Sequence, residues 1–392
     1  MYFKSIVKPP KGYNSRVFDS CGIAAYMNAD GRMESGEKIV KMITTMLDRE
    51  NGLGAGFALY GIFPDRKDFF CFQMLLDNAD ARDRVSAYLS KYCKIIDEEP
   101  IRINPKANVK PPHPLLWRFF LSPLEGKKQE LDEYEYMMKI IMFINAEIEG
   151  AFCMSSGKNM GVFKGNGWSR DVAQFYCIEE IKSYFFMAHS RFPTNTPGWW
   201  GGAHPFNIFG LSIVHNGEIT SYGSNKRFVE MFGYRCTLMT DSEVVTYIMD
   251  LLTRKHQLPL QVACMAAAPL YHHVIETFEG ERREFWRAIR ETYRPAMING
   301  PFSICVGFND KTPTLMGLTD RKKLRPLIAA RSKNNKTFYL SSEECAIRIL
   351  GEEIGEVWAP LAGNPVIIEK QKGLVWKGEK NPLEDRKLEI VV

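Results

Sequence analysis

The chain lacks any run of apolar residues approaching the roughly 18 that are needed to span a bilayer. Its first twenty residues, MYFKSIVKPPKGYNSRVFDS, lack the apolar core of a signal peptide. The 9 cysteines are odd in number and form no CxxC pair. These absences argue against a membrane span, a zinc ribbon and a disulfide framework. We therefore expect a soluble, cytoplasmic protein with reduced thiols and no bound metal.

A large excess of charge of one sign is also lacking, because 51 basic residues nearly balance 46 acidic ones. Bulk charge therefore does not indicate a nucleic-acid surface. No internal repeat or low-complexity tract is present. What is present is a hydrophobic content of 45% over 392 residues, enough for a substantial core in one large domain or in two to three smaller ones.

Residues 1–20 are rich in Lys, Pro, Ser and Asn, and we interpret them as an extension ahead of a domain over 21–392. Apolar spacing in that domain predicts helices over 34–50, 131–149, 226–232, 242–255 and 282–293, and strands over 56–63, 69–76, 184–189, 208–215, 302–308, 337–340 and 366–369.

Two features of this pattern bear on the architecture. The strands over 56–63 and 69–76 are predicted to pair as a hairpin, and the Pro-rich stretch at about 97–128 is predicted to be an irregular insertion. Strands cluster toward both ends of the chain, with helices between them. That order favours a layered α+β fold over regular βαβ alternation.

Cys21 precedes an apolar, strand-like run, CGIAAYM. A cysteine in such a place is more often a buried core residue than a nucleophile. The long loop that begins His189-Ser190-Arg191 is unusual in another way, because it is dense in Pro, Gly, Trp and His. An arginine at the end of a strand suits bidentate recognition of a carboxylate, although an ordinary surface arginine explains it equally well.

Two further segments have both a structural and a functional interpretation. Asn216-Gly217 is first of all a hairpin-turn signal, but a side-chain amide beside a glycine N–H also forms an oxyanion hole. Thr240-Asp241-Ser242-Glu243 is typical of a helix N-terminus, and Asp241 there is able to receive an ammonium group. A thiol, an oxyanion hole, a cation and an anion together describe the hydrolysis of an amino-acid amide, for which glutamine is the obvious candidate.

The order of these segments resembles that of the class II, or N-terminal nucleophile, glutamine amidotransferases. Within that family the chain is most similar to the amidotransferase subunit of the split, archaeal-type glutamate synthase. The resemblance runs across nearly the whole chain from Cys21 and is carried by HSRFPTNTPGWWGGAHPF (189–206), HNGEI (215–219), TDSEVV (240–245), NGPFSI (299–304) and LTDRKKLRPLI (318–328).

The resemblance implies a role for each matching residue. Cys21 would be the first residue of the mature enzyme and its nucleophile, and Asn216 and Gly217 would form the oxyanion hole. The substrate-binding residues would be Arg191 for the α-carboxylate, Asp241 and Glu218 for the α-amino group, and Thr194 and Asn195 in the pocket wall.

The resemblance also implies a four-layer αββα sandwich of the N-terminal nucleophile hydrolase type. Glutamine would be hydrolysed to glutamate, and the ammonia would pass to glutamate synthase subunits in a hetero-oligomer. No cofactor is expected in this chain, whereas FMN and iron–sulfur centres are expected on those partners. An amidotransferase for another acceptor and an unprocessed, catalytically silent regulatory subunit are the alternatives.

Elementary acid–base chemistry adds an expectation about residues 1–20. A cysteine thiol with a pKa near 8.5 is only a few per cent thiolate at pH 7 and needs a base. An α-amino group, with a pKa of roughly 7.7–8.0, is suited to that task. While Cys21 is joined to Ser20 its nitrogen is an amide and cannot act as a base, so we expect autocatalytic cleavage between them.

Overall fold

The computed structural model describes residues 20–128, 130–192 and 198–379. Thr194 and Asn195, two of the expected pocket residues, lie outside the described residues, as do residues 1–19 of the expected leader. No helix among the described residues has both the length and the apolar character needed to cross a bilayer.

Most of the strands belong to two large sheets. In chain order they are β1 (Gly22–Asn28), β2 (Glu34–Ser35), β3 (Ala55–Tyr60), β4 (Phe70–Leu76), β5 (Cys93–Pro100), β6 (Leu115–Pro123), β7 (Ala151–Ser155), β8 (Met160–Gly165), β9 (Lys182–Ser183), β10 (Phe185–Ser190), β11 (Phe206–Ile208), β12 (Leu211–Gly217), β13 (Phe302–Phe308), β14 (Thr314–Thr319), β15 (Ile328–Ser332), β16 (Thr337–Ser341), β17 (Ile354–Trp358), β18 (Val366–Glu369) and β19 (Gly373–Trp376).

Helices interrupt these strands along most of the chain. They are α1 (Glu37–Thr45), α2 (Ala79–Tyr92), α3 (Glu125–Lys128), α4 (Glu133–Glu147), α5 (Ser169–Phe175), α6 (Tyr222–Glu230), α7 (Asp241–Asp250), α8 (Leu260–Ala267), α9 (His272–Ile275), α10 (Gly280–Thr292) and α11 (Cys345–Arg348).

Two antiparallel sheets form the centre of the molecule. One has the order β17-β15-β16-β1-β10-β3-β8 and the other the order β11-β12-β13-β14-β18-β19. Alternate residues of β1 face opposite ways: Ile23 and Met27 pack toward the second sheet, whereas Tyr26 packs toward α1. A strand buried on both faces has no polar side, which is why this region is a continuous apolar run in the sequence.

Each sheet is covered by helices on its outer face. Residues of α1 and α5 pack on the first sheet, and residues of α7 and α8 pack on the second. The apolar core between the sheets contains side chains from both of them, among which are Met187, Val214, Cys305, Leu315 and Leu340. The layers therefore run helix, sheet, sheet, helix, and the predicted αββα architecture is confirmed.

A smaller sheet of order β5-β6-β4-β7 stands beside this core. The predicted hairpin over 56–63 and 69–76 is therefore wrong, because β3 lies in the first large sheet and β4 in the small one. Both strands are buried on both faces. Long-range packing, rather than the short connection between them, consequently decides their partners.

The prediction of irregular structure over 97–128 is also wrong for Leu115–Pro123, which forms β6 between β5 and β4. The prediction was wrong because it relied on the number of prolines and not on their positions. Pro100 and Pro123 stand at strand ends, and the others lie in the loop 101–114, where no ladder hydrogen bond is interrupted. The helix predicted over 34–50 begins later, because Glu34–Ser35 pairs with β9.

Glu50 provides a test of how the core responds to pH. Its carboxylate is buried and accepts hydrogen bonds from the Ser169 backbone N–H and hydroxyl, both at 2.8 Å, at the start of α5. Burial raises the pKa of Glu50 from its ordinary 4.5 to about 7. The folded chain therefore holds this proton more tightly than the unfolded chain does. The stability that results is complete below the unfolded pKa and is lost as the pH rises through the folded one.

We expect wild type to lose about 3 kcal/mol relative to the Glu50→Gln variant as the pH rises from about 4.5 to about 8. Urea unfolding of both proteins across this range measures the difference in free energy of unfolding. A difference that does not change with pH would contradict the assignment of a raised pKa to Glu50.

Candidate active site

Cys21 stands at the end of the first large sheet, just before β1. Antiparallel pairing with β10 sets Gly22 opposite Ser190, so the register brings Cys21 to the residue that follows, Arg191. A Cβ atom on Gly22 would come within 2.5 Å of the Ser190 hydroxyl. A larger residue at this position would therefore require the Ser190 side chain to move. The Arg191 N–H donates to the Gly54 carbonyl at 2.9 Å, which holds the end of β10 against the start of β3.

Asn216 and Gly217 end β12 in the second sheet, opposite Ser303 and Phe302 of β13. The hairpin-turn interpretation of this pair is therefore wrong. Gly217 has a φ of +152°, and a Cβ atom there would lie 2.0 Å from the Pro301 carbonyl oxygen. The position admits only glycine, and the chain leaves the strand there in a direction that side-chain-bearing residues rarely adopt.

The amide of Asn216 points toward the chain that precedes Cys21. Its Nδ2 lies 3.4 Å from the hydroxyl oxygen of Ser20. Arg49 also donates to that hydroxyl and pairs with Glu343. Ser20 thus occupies the space in front of the Asn216 amide while it remains joined to Cys21.

The start of α7 supplies a negatively charged side chain, that of Asp241, to the site. Thr240 is its N-cap and accepts a hydrogen bond from the Glu243 N–H at 3.2 Å, as the capping interpretation predicted. Asp241 is the first residue of the helix, and its Oδ2 accepts from the Ile219 N–H at 3.0 Å. That bond ties the carboxylate to the segment just after Gly217.

These elements enclose a cavity of about 290 Å³, a size that suits a small ligand. Every expected site residue in the described part of the chain lines it, namely Cys21, Arg191, Asn216, Gly217, Glu218 and Asp241. Arg191 is 6% exposed. A cation and a carboxylate therefore face the same small space as a thiol.

The environment of Cys21 keeps its thiol protonated at rest. Burial raises the pKa of the Cys21 thiol, and the Phe192 N–H and the positive charge of Arg191 oppose that effect. The Phe192 N–H donates to the sulfur at 3.3 Å, and the sulfur lies 3.9 Å from the Phe192 carbonyl. Among the described residues no side chain hydrogen-bonds this sulfur, so none of them is placed as its base.

Two buried histidines that line the pocket, His204 and His215, contact Ser242 rather than Cys21, and a third, His189, stacks on His204. The Ser242 hydroxyl lies 2.8 Å from His204 Nε2, 2.9 Å from His215 Nδ1 and 3.2 Å from Asp241 Oδ1. All three contacts are hydrogen bonds if both imidazoles donate and the hydroxyl donates to Asp241. Burial lowers the pKa of His189, His204 and His215, so the three rings are neutral. The network holds Asp241 in place.

Sequence reasoning missed several residues of this site. Ser242 was considered only as part of a helix start, and Arg325, which also lines the cavity, was not singled out within the family-like segment 318–328. His204 belongs to the loop that drew attention to Arg191, so its nearness was foreseeable but its partner was not. The Phe192 N–H has no signal in the sequence, because a backbone donor is available at almost every residue.

Comparison with known families agrees with this arrangement of side chains. Residues 106–384 match the sequence model of the class-II glutamine amidotransferases. The chain belongs to this family. Its activity is that of a class-II amidotransferase acting on the amide of glutamine.

Several relatives place this amidotransferase among known proteins. An uncharacterized protein of Archaeoglobus fulgidus is 43% identical over 93% of this chain and 94% of its own length. The amidophosphoribosyltransferase of Methanocaldococcus jannaschii is 28% identical over 52% of this chain and 38% of its own. A solved structure of glutamine phosphoribosylpyrophosphate amidotransferase from B. subtilis, complexed with ADP and GMP, has 13% identity and a TM-score of 0.46. The match covers 90% of this chain and 48% of that one.

The stretch matched to the amidotransferase family contains Arg191, Asn216 and Asp241 but begins well after Cys21. The thiol is brought to those residues by the pairing of β1 with β10. The geometry of the fold, and not the extent of the family match, therefore connects Cys21 to the rest of the site.

Proposed function

We propose that this amidotransferase hydrolyses glutamine to glutamate and ammonia, with Cys21 as the nucleophile. The observation that carries the proposal is the single cavity in which a thiol, a guanidinium, a carboxylate and an amide donor converge. A thiol attacks an amide carbon, and the charged groups recognise the two ends of an amino acid.

Arg191 binds the α-carboxylate of glutamine, and Asp241 with Glu218 binds its α-amino group. Thr194 and Asn195 belong to the same proposal as residues of the pocket wall. Arg191 and Asp241 are held by different layers, one at the end of β10 and the other at the start of α7. An amino acid that satisfies both is therefore oriented between the two sheets, with its side-chain amide directed toward Cys21.

The α-amino group of Cys21, once freed, takes the thiol proton as sulfur attacks the amide carbon of glutamine. The oxyanion is stabilised by the Asn216 amide and the Gly217 N–H. The same amino group then gives its proton to the leaving nitrogen, which departs as ammonia and leaves a γ-glutamyl thioester. Water attacks the thioester, the amino group takes a proton from that water and gives it to the departing sulfur, and glutamate is released.

The Asn216→Ala variant is expected to lower kcat by about 10² to 10³ while changing KM by less than about threefold, because the lost donor acts on charge that develops in the transition state. Steady-state ammonia release, corrected for active sites by titration with a thiol-alkylating diazoketone analogue of glutamine, measures both constants. A kcat within about threefold of wild type would remove Asn216 from the oxyanion hole.

Removal of residues 1–20 belongs to the same proposal. Ser20 accepts hydrogen bonds from Asn216 and Arg49 in the cavity, so the intact chain occupies the space that the substrate oxyanion needs. Cleavage would free that space and create the base in one step. Attack of the Cys21 thiol on the Ser20 carbonyl breaks the Ser20–Cys21 amide bond, frees the Cys21 amino group and leaves a thioester. Water then hydrolyses that thioester, so no other enzyme is needed.

The ammonia is proposed to pass to separate glutamate synthase subunits that aminate 2-oxoglutarate and carry FMN and iron–sulfur centres. The motif order from HSRFPTNTPGWWGGAHPF to LTDRKKLRPLI supports this acceptor. Another acceptor is the second candidate, favoured by the sequence similarity to the amidophosphoribosyltransferase of Methanocaldococcus jannaschii over 52% of this chain. A silent regulatory subunit is the third.

One experiment separates these candidates. Ammonia release from glutamine is measured for the purified chain alone and with the proteins that co-purify with it from the native source. Glutamate formation from 2-oxoglutarate, with flavin in the co-purified proteins, supports the first candidate. Ammonia release without 2-oxoglutarate amination supports another acceptor, and no release after confirmed removal of residues 1–20 supports a silent subunit.

A further inference from the structure

Lys164 is a buried cation that the proposed reaction does not use. It lies in β8 at the edge of the first large sheet and is 1% exposed. Its ammonium donates to the Gly201 carbonyl at 2.9 Å and lies 4.6 Å from the centre of the Phe206 ring. Gly201 precedes Gly202 and His204, which line the glutamine cavity. Lys164 therefore anchors the segment that forms one wall of that cavity.

Glu243 is a buried anion on the opposite wall. It lies in the first turn of α7, two residues after Asp241, and is 2% exposed. Its carboxylate accepts from the Thr237 N–H at 3.0 Å and from the Leu238 N–H at 2.9 Å. These bonds anchor the segment that leads into α7, so the carboxylate fixes where the helix begins.

Lys164 and Glu243 both line a cavity of about 10 Å³, which has room for about one water molecule. Burial lowers the pKa of Lys164 to about 7, and the Glu243 carboxylate opposes that shift. The nearby Arg191 guanidinium lowers the pKa of Lys164 further. Burial raises the pKa of Glu243 to about 7, and the Lys164 ammonium opposes that shift, so each of the two charges favours the ionised form of the other.

We propose that Lys164 and Glu243 are a buried pair of positioning residues that sets the distance between the two walls of the glutamine pocket. One wall carries Arg191 and the loop at Gly201, and the other carries Asp241. Because glutamine must reach Arg191 and Asp241 at once, the spacing of these walls governs substrate binding more than the chemical step. The inference rests on the proposed glutamine site and adds to it a determinant of amino-acid affinity.

The variants Lys164→Met, Glu243→Gln and the double substitution test the pair. The Glu50→Gln variant is the matched control, because Glu50 is also a buried carboxylate that accepts a backbone N–H and has a pKa raised to about 7 by burial. Unlike Glu243, it lies at the start of α5 and does not anchor the segment that leads into α7. KM and kcat for glutamine are measured per active site titrated, and the midpoint of thermal unfolding is recorded for each protein.

Either single substitution is expected to raise KM for glutamine about tenfold or more and to change kcat per active site by less than about threefold. The double variant is expected to be no worse than the worse single variant, because the second change removes a charge that has already lost its partner. Glu50→Gln is expected to leave KM unchanged. If Lys164→Met does not fold, the nearly isosteric Glu243→Gln gives the same comparison.

Unchanged KM in the single variants, or KM effects that multiply in the double variant, would overturn the inference. A loss of titratable sites with KM intact would also overturn it, since that result describes stability alone. Wild type that neither binds nor hydrolyses glutamine would instead remove the proposed function, and the pair would then have no pocket to position. The wild-type measurement thus distinguishes the two failures.

Discussion

Replacing Cys21 by alanine is expected to lower the rate of glutamine hydrolysis by at least about 10⁴-fold, because the γ-glutamyl thioester has no other atom on which to form. Burial raises the pKa of this thiol, and its hydrogen bonds in the described structure are with the Phe192 backbone alone. The Thr240 and Ser242 hydroxyls, which also line the cavity, cannot form a thioester. When the variant is expressed without residues 1–20, so that Ser20 no longer lies beside Asn216, binding of glutamine should survive, since Arg191 and Asp241 are untouched.

Ammonia release and calorimetric binding of glutamine measure the two effects separately. Cys345→Ala is the control, because Cys345 is an exposed free thiol that does not line the cavity. That variant should keep wild-type activity while losing a site for thiol reagents. A Cys21→Ala protein with more than about one hundredth of the wild-type rate would show that another group performs the attack.

A second large effect is expected from moving the α-amino group by a single residue. A chain expressed as Met followed by Cys21 loses its methionine during synthesis and begins at the nucleophile. A chain expressed as Met-Ala followed by Cys21 begins one residue earlier, and the Cys21 nitrogen is then an amide. We expect the first chain to be active without maturation and the second to be at least about 10²-fold slower, because its general base is lost.

Both chains lack Ser20, so the comparison separates the chemical role of the nitrogen from the space that Ser20 occupies beside Asn216. N-terminal sequencing establishes the first residue of each preparation, and circular dichroism establishes that both are folded. Equal rates in the two chains would mean that the Cys21 nitrogen is not the base.

The part of the site that could be predicted from sequence is the part in which side-chain chemistry is itself the signal. Arg191, Asn216 and Asp241 were recognised because their types and order fit an amino-acid amide, and the structure gathers them in one cavity with Cys21. The αββα layering followed from the family resemblance and from strands clustered at both ends of the chain. Both predictions, of the site residues and of the layers, depend on information contained in short segments of the sequence.

Pairing between distant strands could not be predicted in the same way. The strand over 302–308 was placed correctly as β13, yet the partners of β3 and β4 were not, because strands buried on both faces carry no alternation that selects a neighbour. Lys164 and Ser242 were missed for a related reason. Each is unremarkable in its own segment and acquires a role only through Gly201, Glu243 or His215, which other layers bring to it.

The central claim, that activity requires Cys21 to be the first residue, is tested most directly on one sample of the full-length chain. Intact mass gives the fraction of molecules that begin at Cys21, and ammonia release from glutamine gives the activity of the same aliquot as maturation proceeds. We predict that the rate rises in proportion to that fraction and is negligible when the fraction is zero. Full glutaminase activity from molecules that all retain residues 1–20 would contradict it.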